Sequence, residues 1–202
     1  YEIGVRLVGS EMCIRDRQSG TLLLSIINNV LDMARIESGR MEIDENYGRI
    51  EDIRQTLFEI FEDEAKKKNL ALHYTINVEH EHILTDTTKV KEIFVNILGN
   101  AIKYTPPGTV ISIRGTKTDG KAQISVEDNG PGIPEEMKPH IFQMFYTGKT
   151  TVADSHRSLG LGLALCHSII EAHDGTLILT DHDPHGCNFT FTLPLSEVTL
   201  NE

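Results

Sequence analysis

Asn96-Ile-Leu-Gly-Asn100-Ala-Ile-Lys103-Tyr104-Thr105 is the first stretch whose residue types and spacing could do chemistry. Asn96, Asn100 and Lys103 stand at i, i+4 and i+7, so a helix puts all three on one face. Amide oxygens suit a hard cation such as Mg²⁺, and a lysine ammonium suits phosphate. On its own, such a face is more often solvated helix surface than a site. A second candidate, Asp128-Asn-Gly130-Pro-Gly132-Ile133-Pro, follows an apolar alternation that ends at Val126. A carboxylate at a strand end can accept the exocyclic amine of adenine, and glycines let the backbone approach a base. The same residue types also make plain tight turns. A third, Ser158-Leu159-Gly160-Leu161-Gly162-Leu163, leads into an apolar helix. Glycines at a helix N-terminus leave backbone N–H groups free for phosphate, helped by the helix dipole. Gly186 ahead of Phe189, Phe191 and Pro194 predicts a strand that returns beneath the pocket. Between the second and third stretches, Phe142 and Phe145 could anchor a mobile loop.

Other motif-like stretches lead nowhere. Thr147-Gly148-Lys149-Thr150 mimics the end of a phosphate-binding loop, but Gln143 stands where that loop needs glycine. No Gly-x-Gly-x-x-Gly occurs. His182 and His185 beside Asp181 and Asp183 read as a turn rather than a metal centre.

The elements that must position these residues follow from periodicity. Leu23, Ile26, Ile27, Val30, Met33 and Ala34 recur at intervals of three and four, which predicts an amphipathic helix over 18–38, closed by Gly39. Ile53, Leu57, Ile60, Phe61 and Ala65 predict another, running out in Lys66–Lys68. Alternation predicts a strand over Ala71–Val78, and a helix from Thr87 to Lys103 follows. Ile111/Ile113 and Ala122/Ile124/Val126 flank Asp119–Gly120 as a β-hairpin. A short helix is expected over Glu135–Phe145, a polar loop over 146–158, and an apolar helix over Leu161–Ala172. Strands over Thr176–Thr180 and Asn188–Leu195 come last. Helices mixed with antiparallel hairpins imply an α+β fold rather than a doubly wound parallel sheet. Tyr1–Arg17 fits none of these patterns and reads as a leader foreign to the fold.

Composition sets outer limits. The 202 residues carry 19 Lys and Arg against 30 Asp and Glu, a formal net charge of −11, which argues against nucleic-acid binding. With 39% hydrophobic and 24% charged residues the chain can bury a core. The most apolar run, Leu22–Val30, falls short of the roughly 20 residues that cross a bilayer. Three cysteines without a Cys-x-x-Cys pair argue against a disulfide framework and for a reducing cytoplasm.

Taken together and in this order, the stretches resemble the N, G1, F, G2 and G3 boxes of the catalytic ATP-binding domain of sensor histidine kinases, over about 46–197. The resemblance implies the Bergerat (GHKL) fold, helices layered on a mixed sheet. Residues 18–40, ending Glu37-Ser38-Gly39, resemble the second helix of the family's dimerisation and phosphoacceptor hairpin. Arg157-Ser-Leu-Gly-Leu-Gly-Leu-Ala-Leu-Cys resembles potassium-responsive members in particular. By resemblance, Asn100 holds Mg²⁺, Asn96 lines the same region, Lys103 reaches a phosphate and Tyr104 packs near the nucleotide. Asp128 reads the adenine amine in a pocket shaped by Gly130, Gly132 and Ile133. Ser158, Leu159, Gly160, Leu161, Gly162 and Leu163 form the phosphate cradle. Residues 146–158 form an ATP lid behind Phe145, with Lys149 and Arg157 as phosphate contacts.

The implied function is transfer of the γ-phosphoryl of ATP to a histidine, with ATP and Mg²⁺ as cofactors and a response regulator downstream. The full-length protein would be a cytoplasmic-facing homodimer, reaching the membrane only through sensor segments outside this chain. Two departures matter. Ser158 stands where the G2 box usually opens with glycine. None of the nine histidines lies in a phosphoacceptor pattern, and Tyr1–Arg17 occupies the acceptor helix's place, so the acceptor is expected to be missing. His73, His80 and His82 are expected at the surface around a strand. A hydrolysing ATPase of the gyrase, chaperone or mismatch-repair type is an alternative, but those relatives carry a glutamate base where this chain has Asn96. A binding or dimerisation module without transfer activity is another.

Overall fold

The computed structural model describes residues 27–28, 30–31, 34–35, 43–77, 82–147 and 160–194, with the backbone alone at 82–84. The chain divides into two compact units, Tyr1–Met41 and Glu42–Glu202. In the first, the described residues are helical, and Ile27, Val30 and Leu31 are about half exposed. Tyr1–Arg17 lies outside the described residues.

The second unit runs β1 (Asn46–Arg49), α1 (Ile50–Lys67), β2 (Ala71–Asn77), β3 (His82–Thr85), α2 (Thr87–Tyr104), β4 (Val110–Thr118), β5 (Lys121–Glu127), α3 (Gly162–Ala172), β6 (Leu177–Asp181) and β7 (Cys187–Pro194). Five strands form one sheet in the order β2-β4-β5-β7-β6, in which only β2 and β4 pair in parallel. β1 and β3 form a separate antiparallel pair. It went unforeseen because Asn46-Tyr-Gly-Arg49 carries no apolar alternation. The α+β expectation therefore holds, with the mixed sheet of the Bergerat fold.

Register follows from one buried face. Ile113 lies opposite Val126, Val126 opposite Phe189, and Phe189 opposite Leu179, so one apolar row crosses four strands. Slipping any strand by one residue would turn that row outward. Against it pack Ile93, Phe94, Ile97 and Leu98 of α2 and Leu165, Ile169 and Ile170 of α3, all buried. Phe94 meets Phe191 edge to face at 5.5 Å between ring centroids. Fully burying each such side chain contributes about 1.5–3 kcal/mol. Asp119 and Gly120, at φ 51° and 75°, make the tight β4–β5 turn that their types predict.

Helix termini are set by chemistry as much as by pattern. Asp86 caps α2, accepting from the N–H groups of Thr88 at 3.1 Å and Lys89 at 3.0 Å. The expected helix over Glu135–Phe145 is not there. Only a 3₁₀ turn, Lys138–His140, forms, followed by turns. Pro139 explains this, because inside the expected span it lacks the N–H that helix propagation needs, whereas Pro134 sits at the start and its carbonyl still accepts from Met137 and Lys138. His73 is exposed; His80 and the side chain of His82 lie outside the described residues.

Candidate functional site

Asp128 follows the last residue of β5 and is 6% exposed. Its Oδ1 accepts the N–H of Gly130 at 2.7 Å and that of Cys187 at 3.3 Å, while its own N–H donates to the Cys187 carbonyl at 2.9 Å. No described protein group bonds to Oδ2. Burial raises the carboxyl's pKa above its ordinary value, opposed by the Gly130 and Cys187 N–H donors and by His182. The result is a desolvated carboxylate with one oxygen committed and one left for a ligand.

The glycines around it are set by close approach. At Gly186, φ is +130°, and a Cβ would fall 1.8 Å from the Asp128 carbonyl oxygen. A Cβ on Gly130 would lie 2.7 Å from Asp128 Oδ1 and 3.6 Å from the Tyr104 carbonyl oxygen. One on Gly132 would come within 3.5 Å of the Gly186 carbonyl. Side chains at these positions would fill the space beside the carboxylate. His185 Nδ1 lies 3.2 Å from the Gly130 carbonyl, tying the β6–β7 turn to this loop. Sequence reasoning missed His185 and Cys187. Their only signal was adjacency to Gly186, and their relation to Asp128 comes from pairing between β5 and β7. Ile133 is half-buried next to Gly132. Among the described residues, no cluster of three or more His, Cys, Asp or Glu could hold a metal ion.

α2 carries the second group of candidates. Asn96, Asn100 and Lys103 are all half-buried, while the core side of the helix is taken by Ile93, Ile97, Leu98 and Ala101. Asn96 Nδ2 donates to the Glu92 carbonyl at 3.0 Å. A Cβ on Gly162 would fall 2.6 Å from Asn96 Oδ1, so Asn96 lies against the first residue of α3. Asn100 makes no side-chain hydrogen bond among the described residues, which leaves its amide oxygen available to a cation. Lys103 Nζ lies 5.1 Å from the centroid of the Tyr104 ring, itself 46% exposed.

α3 starts without a side-chain cap and without an acidic residue in its first turn. Among the described residues, its leading N–H groups and positive dipole end therefore face no anion in that turn. Leu161 is buried in the core and Leu163 is half-buried, so both hold the helix rather than open toward a ligand. The two sides of the 148–159 segment meet at its base. The Phe145 N–H donates to the Gly160 carbonyl at 3.0 Å, and Gly160, at φ +68°, packs on the Tyr146 carbonyl. Phe145 has φ 60° and is 65% exposed, a costly conformation for an aromatic residue. Lys149, Arg157, Ser158 and Leu159 lie outside the described residues.

A helix-covered mixed sheet, with a buried carboxylate at one strand end, an amide-bearing helix beside it and an uncapped helix N-terminus, is the architecture of a nucleotide-binding domain. The chain belongs to the family of histidine kinase-, DNA gyrase B- and HSP90-like ATPases, whose model matches residues 85–197. It is 30% identical to the adaptive-response sensory kinase SasA of Synechocystis sp. over 188 residues, 92% of this chain and 48% of that protein. Its structure is similar to that of full-length ShkA in complex with AMPPNP, with a TM-score of 0.78 and 27% identity, covering 90% of this chain and 38% of ShkA. It is also similar to histidine kinase ThkA in complex with response regulator protein TrrA, with a TM-score of 0.66 and 26% identity over 87% of this chain and 49% of that one. The chain thus spans about half or less of the length of these relatives.

Proposed function

We propose that this chain is the ATP-binding catalytic part of a sensor histidine kinase. The observation that carries this is Asp128, a buried carboxylate whose Oδ1 is held by two backbone N–H groups while Oδ2 has no described partner. The adenine amine is a donor that fits Oδ2, and guanine, with a carbonyl at the matching place, does not. The phosphates would run toward the uncapped start of α3 and Lys103. Asn100 offers a hard oxygen to Mg²⁺, whose contribution when bound is to neutralise phosphate charge. Lys149 and Arg157 would add cationic contacts, and 146–158 would act as the lid.

In the reaction proposed, an imidazole nitrogen of the acceptor attacks the γ-phosphorus, the bond from phosphorus to the β,γ-bridging oxygen breaks, and ADP leaves with the bonding pair. The protein contributes positioning and electrostatic stabilisation. Asn96 supports transfer over hydrolysis. Its neutral amide cannot take a proton from water, and its Nδ2 is already engaged with Glu92. Residues 18–40 would form one helix of a dimerising acceptor hairpin, with the exposed Ile27, Val30 and Leu31 available to a second helix. Acting in the cytoplasm, the phosphorylated acceptor would pass its phosphoryl group to a response regulator. ThkA's complex with TrrA supports that partner class. No helix among the described residues is long and apolar enough to cross a membrane.

The test is incubation with γ-labelled ATP and Mg²⁺, alone and with a two-helix acceptor fragment from a related kinase at high concentration. Acid-labile label is expected on the added fragment and not on the chain. Label on the chain alone would mean that one of its nine histidines is an acceptor. ATP binding without label on either would favour a non-transferring module.

A further inference from the structure

Lys68 stands just beyond α1, remote in sequence from every motif described above, and its side chain reaches the far end of α2. Its Nζ donates to the carbonyls of Ile102 at 2.6 Å, Lys103 at 2.6 Å and Thr105 at 3.2 Å. An ammonium group has three protons to donate, and these three acceptors match that capacity. The last carbonyls of a helix lack intrahelical partners and carry the negative end of its dipole, so a cation there satisfies both needs. Only the Thr105 N–H returns to the helix, bonding the Ala101 carbonyl at 2.9 Å.

The carbonyl that Lys68 does not take is that of Tyr104. It faces the adenine-side loop instead, 3.6 Å from where a Gly130 Cβ would sit. The end of α2 is thus clamped between Lys68 on one side and the Asp128–Gly130 loop on the other. Asn100 and Lys103 lie in the last turns of that helix. The surrounding backbone reinforces the clamp: the Gly108 N–H donates to the Asn69 carbonyl at 2.8 Å and the Ala71 N–H to the Thr109 carbonyl at 3.0 Å, binding the turn after α1 to the turn after α2.

We propose that Lys68 is a positioning residue for phosphoryl transfer, fixing the last turn of α2 so that Asn100 and Lys103 stand in register with the base held at Asp128. This rests on the ATP-binding reading above. The Lys68 ammonium is taken up by three backbone carbonyls at the end of α2, so its loss acts through that helix. Lys68→Met keeps the length and apolar stem of the side chain but removes the donors. Lys68→Arg keeps charge and donors.

The experiment measures adenosine and Mg²⁺–ATP binding by calorimetry, and transfer to a saturating acceptor fragment, for parent, Lys68→Met and Lys68→Arg, each normalised to folded protein. Lys68→Met is expected to bind adenosine within about twofold of the parent and to lose about tenfold in kcat. Lys68→Arg should recover most of that loss. If Lys68→Met transfers at the parental rate, or if adenosine binding falls in parallel with kcat, the residue is a structural cap and the inference is overturned. Should the parent itself fail to bind ATP, the ATP-binding reading fails instead. Should Lys68→Met not fold, Lys68→Gln, which removes the charge but keeps a polar side chain, decides instead: parental adenosine affinity with a reduced kcat supports positioning, and a parental kcat or equal losses in both refute it.

Discussion

At the end of β5 almost every polar group is already committed. Asp128 Oδ1 holds two N–H groups, Gly186 packs on the Asp128 carbonyl, and His185 engages the Gly130 carbonyl. On the outer face of α2 the reverse holds. Among the described residues, the Asn100 amide has no partner and Lys103 reaches only the Tyr104 ring, and α3 begins uncapped. On the proposed function, the first region would be a preformed recognition site for a planar group with one donor. The second would be a set of groups that gain partners when an anion and a cation arrive. A base pocket gains selectivity from rigidity, because a wrong base leaves a buried carboxylate unpaired. A phosphate region must bind a group that changes charge and geometry during transfer, so its partners come with the ligand.

Breaking the rigid side should have the largest effect. Gly186→Ala forces a Cβ onto the Asp128 carbonyl at an unfavourable φ. It should cost about 3 kcal/mol, lowering the melting midpoint by about 6–12 °C, and abolish ATP binding. Calorimetric unfolding checks the first effect and nucleotide titration the second. Asp128→Asn separates recognition from folding. ATP affinity should fall at least tenfold, because a charge-assisted hydrogen bond worth about 1.5–3 kcal/mol is lost, and preference for ATP over GTP should fade. Stability at neutral pH should be unchanged or higher, because a buried charge is removed.

On the adaptable side, Asn100→Ala should weaken ATP binding about tenfold in Mg²⁺ and change little in EDTA. Equal losses in both conditions would place the metal elsewhere. The subtlest expectation concerns pH. Burial raises the Asp128 pKa above its ordinary 3.8, so the folded chain holds that proton more tightly than the unfolded chain does. Ionisation of Asp128 therefore costs stability as pH rises through the window between the ordinary and the raised value. ATP affinity runs the other way, falling as pH drops through the raised value, earlier than for an exposed aspartate. Titrations across the mildly acidic range check it, and Asp128→Asn should flatten both profiles.

Much of the site was legible because its residues lie close together in the chain. Asn96, Asn100 and Lys103 share a face through helical spacing alone, and Asp128, Gly130 and Gly132 share one turn. Alternation around Asp119–Gly120 predicts the β4–β5 hairpin, since the side-chain period of a strand and the demands of a tight turn are local properties. The short helix expected over Glu135–Phe145 is absent for an equally local reason, Pro139 within it, which the apolar spacing obscures. The β1–β3 pair was invisible because its strands are short and far apart in sequence.

What the chain's own order determined, then, is which chemical groups exist and which of them share a helix face or a turn. Tertiary structure decided which groups meet. Cys187 reaches Asp128, 59 positions away, through the β5–β7 ladder, Gly162 meets Asn96 where two helices touch, and Lys68 spans to carbonyls 34 to 37 positions away. Such contacts carry no periodic signal, because they depend on how whole elements pack. Only a buried apolar row in fixed register holds those elements closely enough for one ammonium or one carboxylate to find its partners.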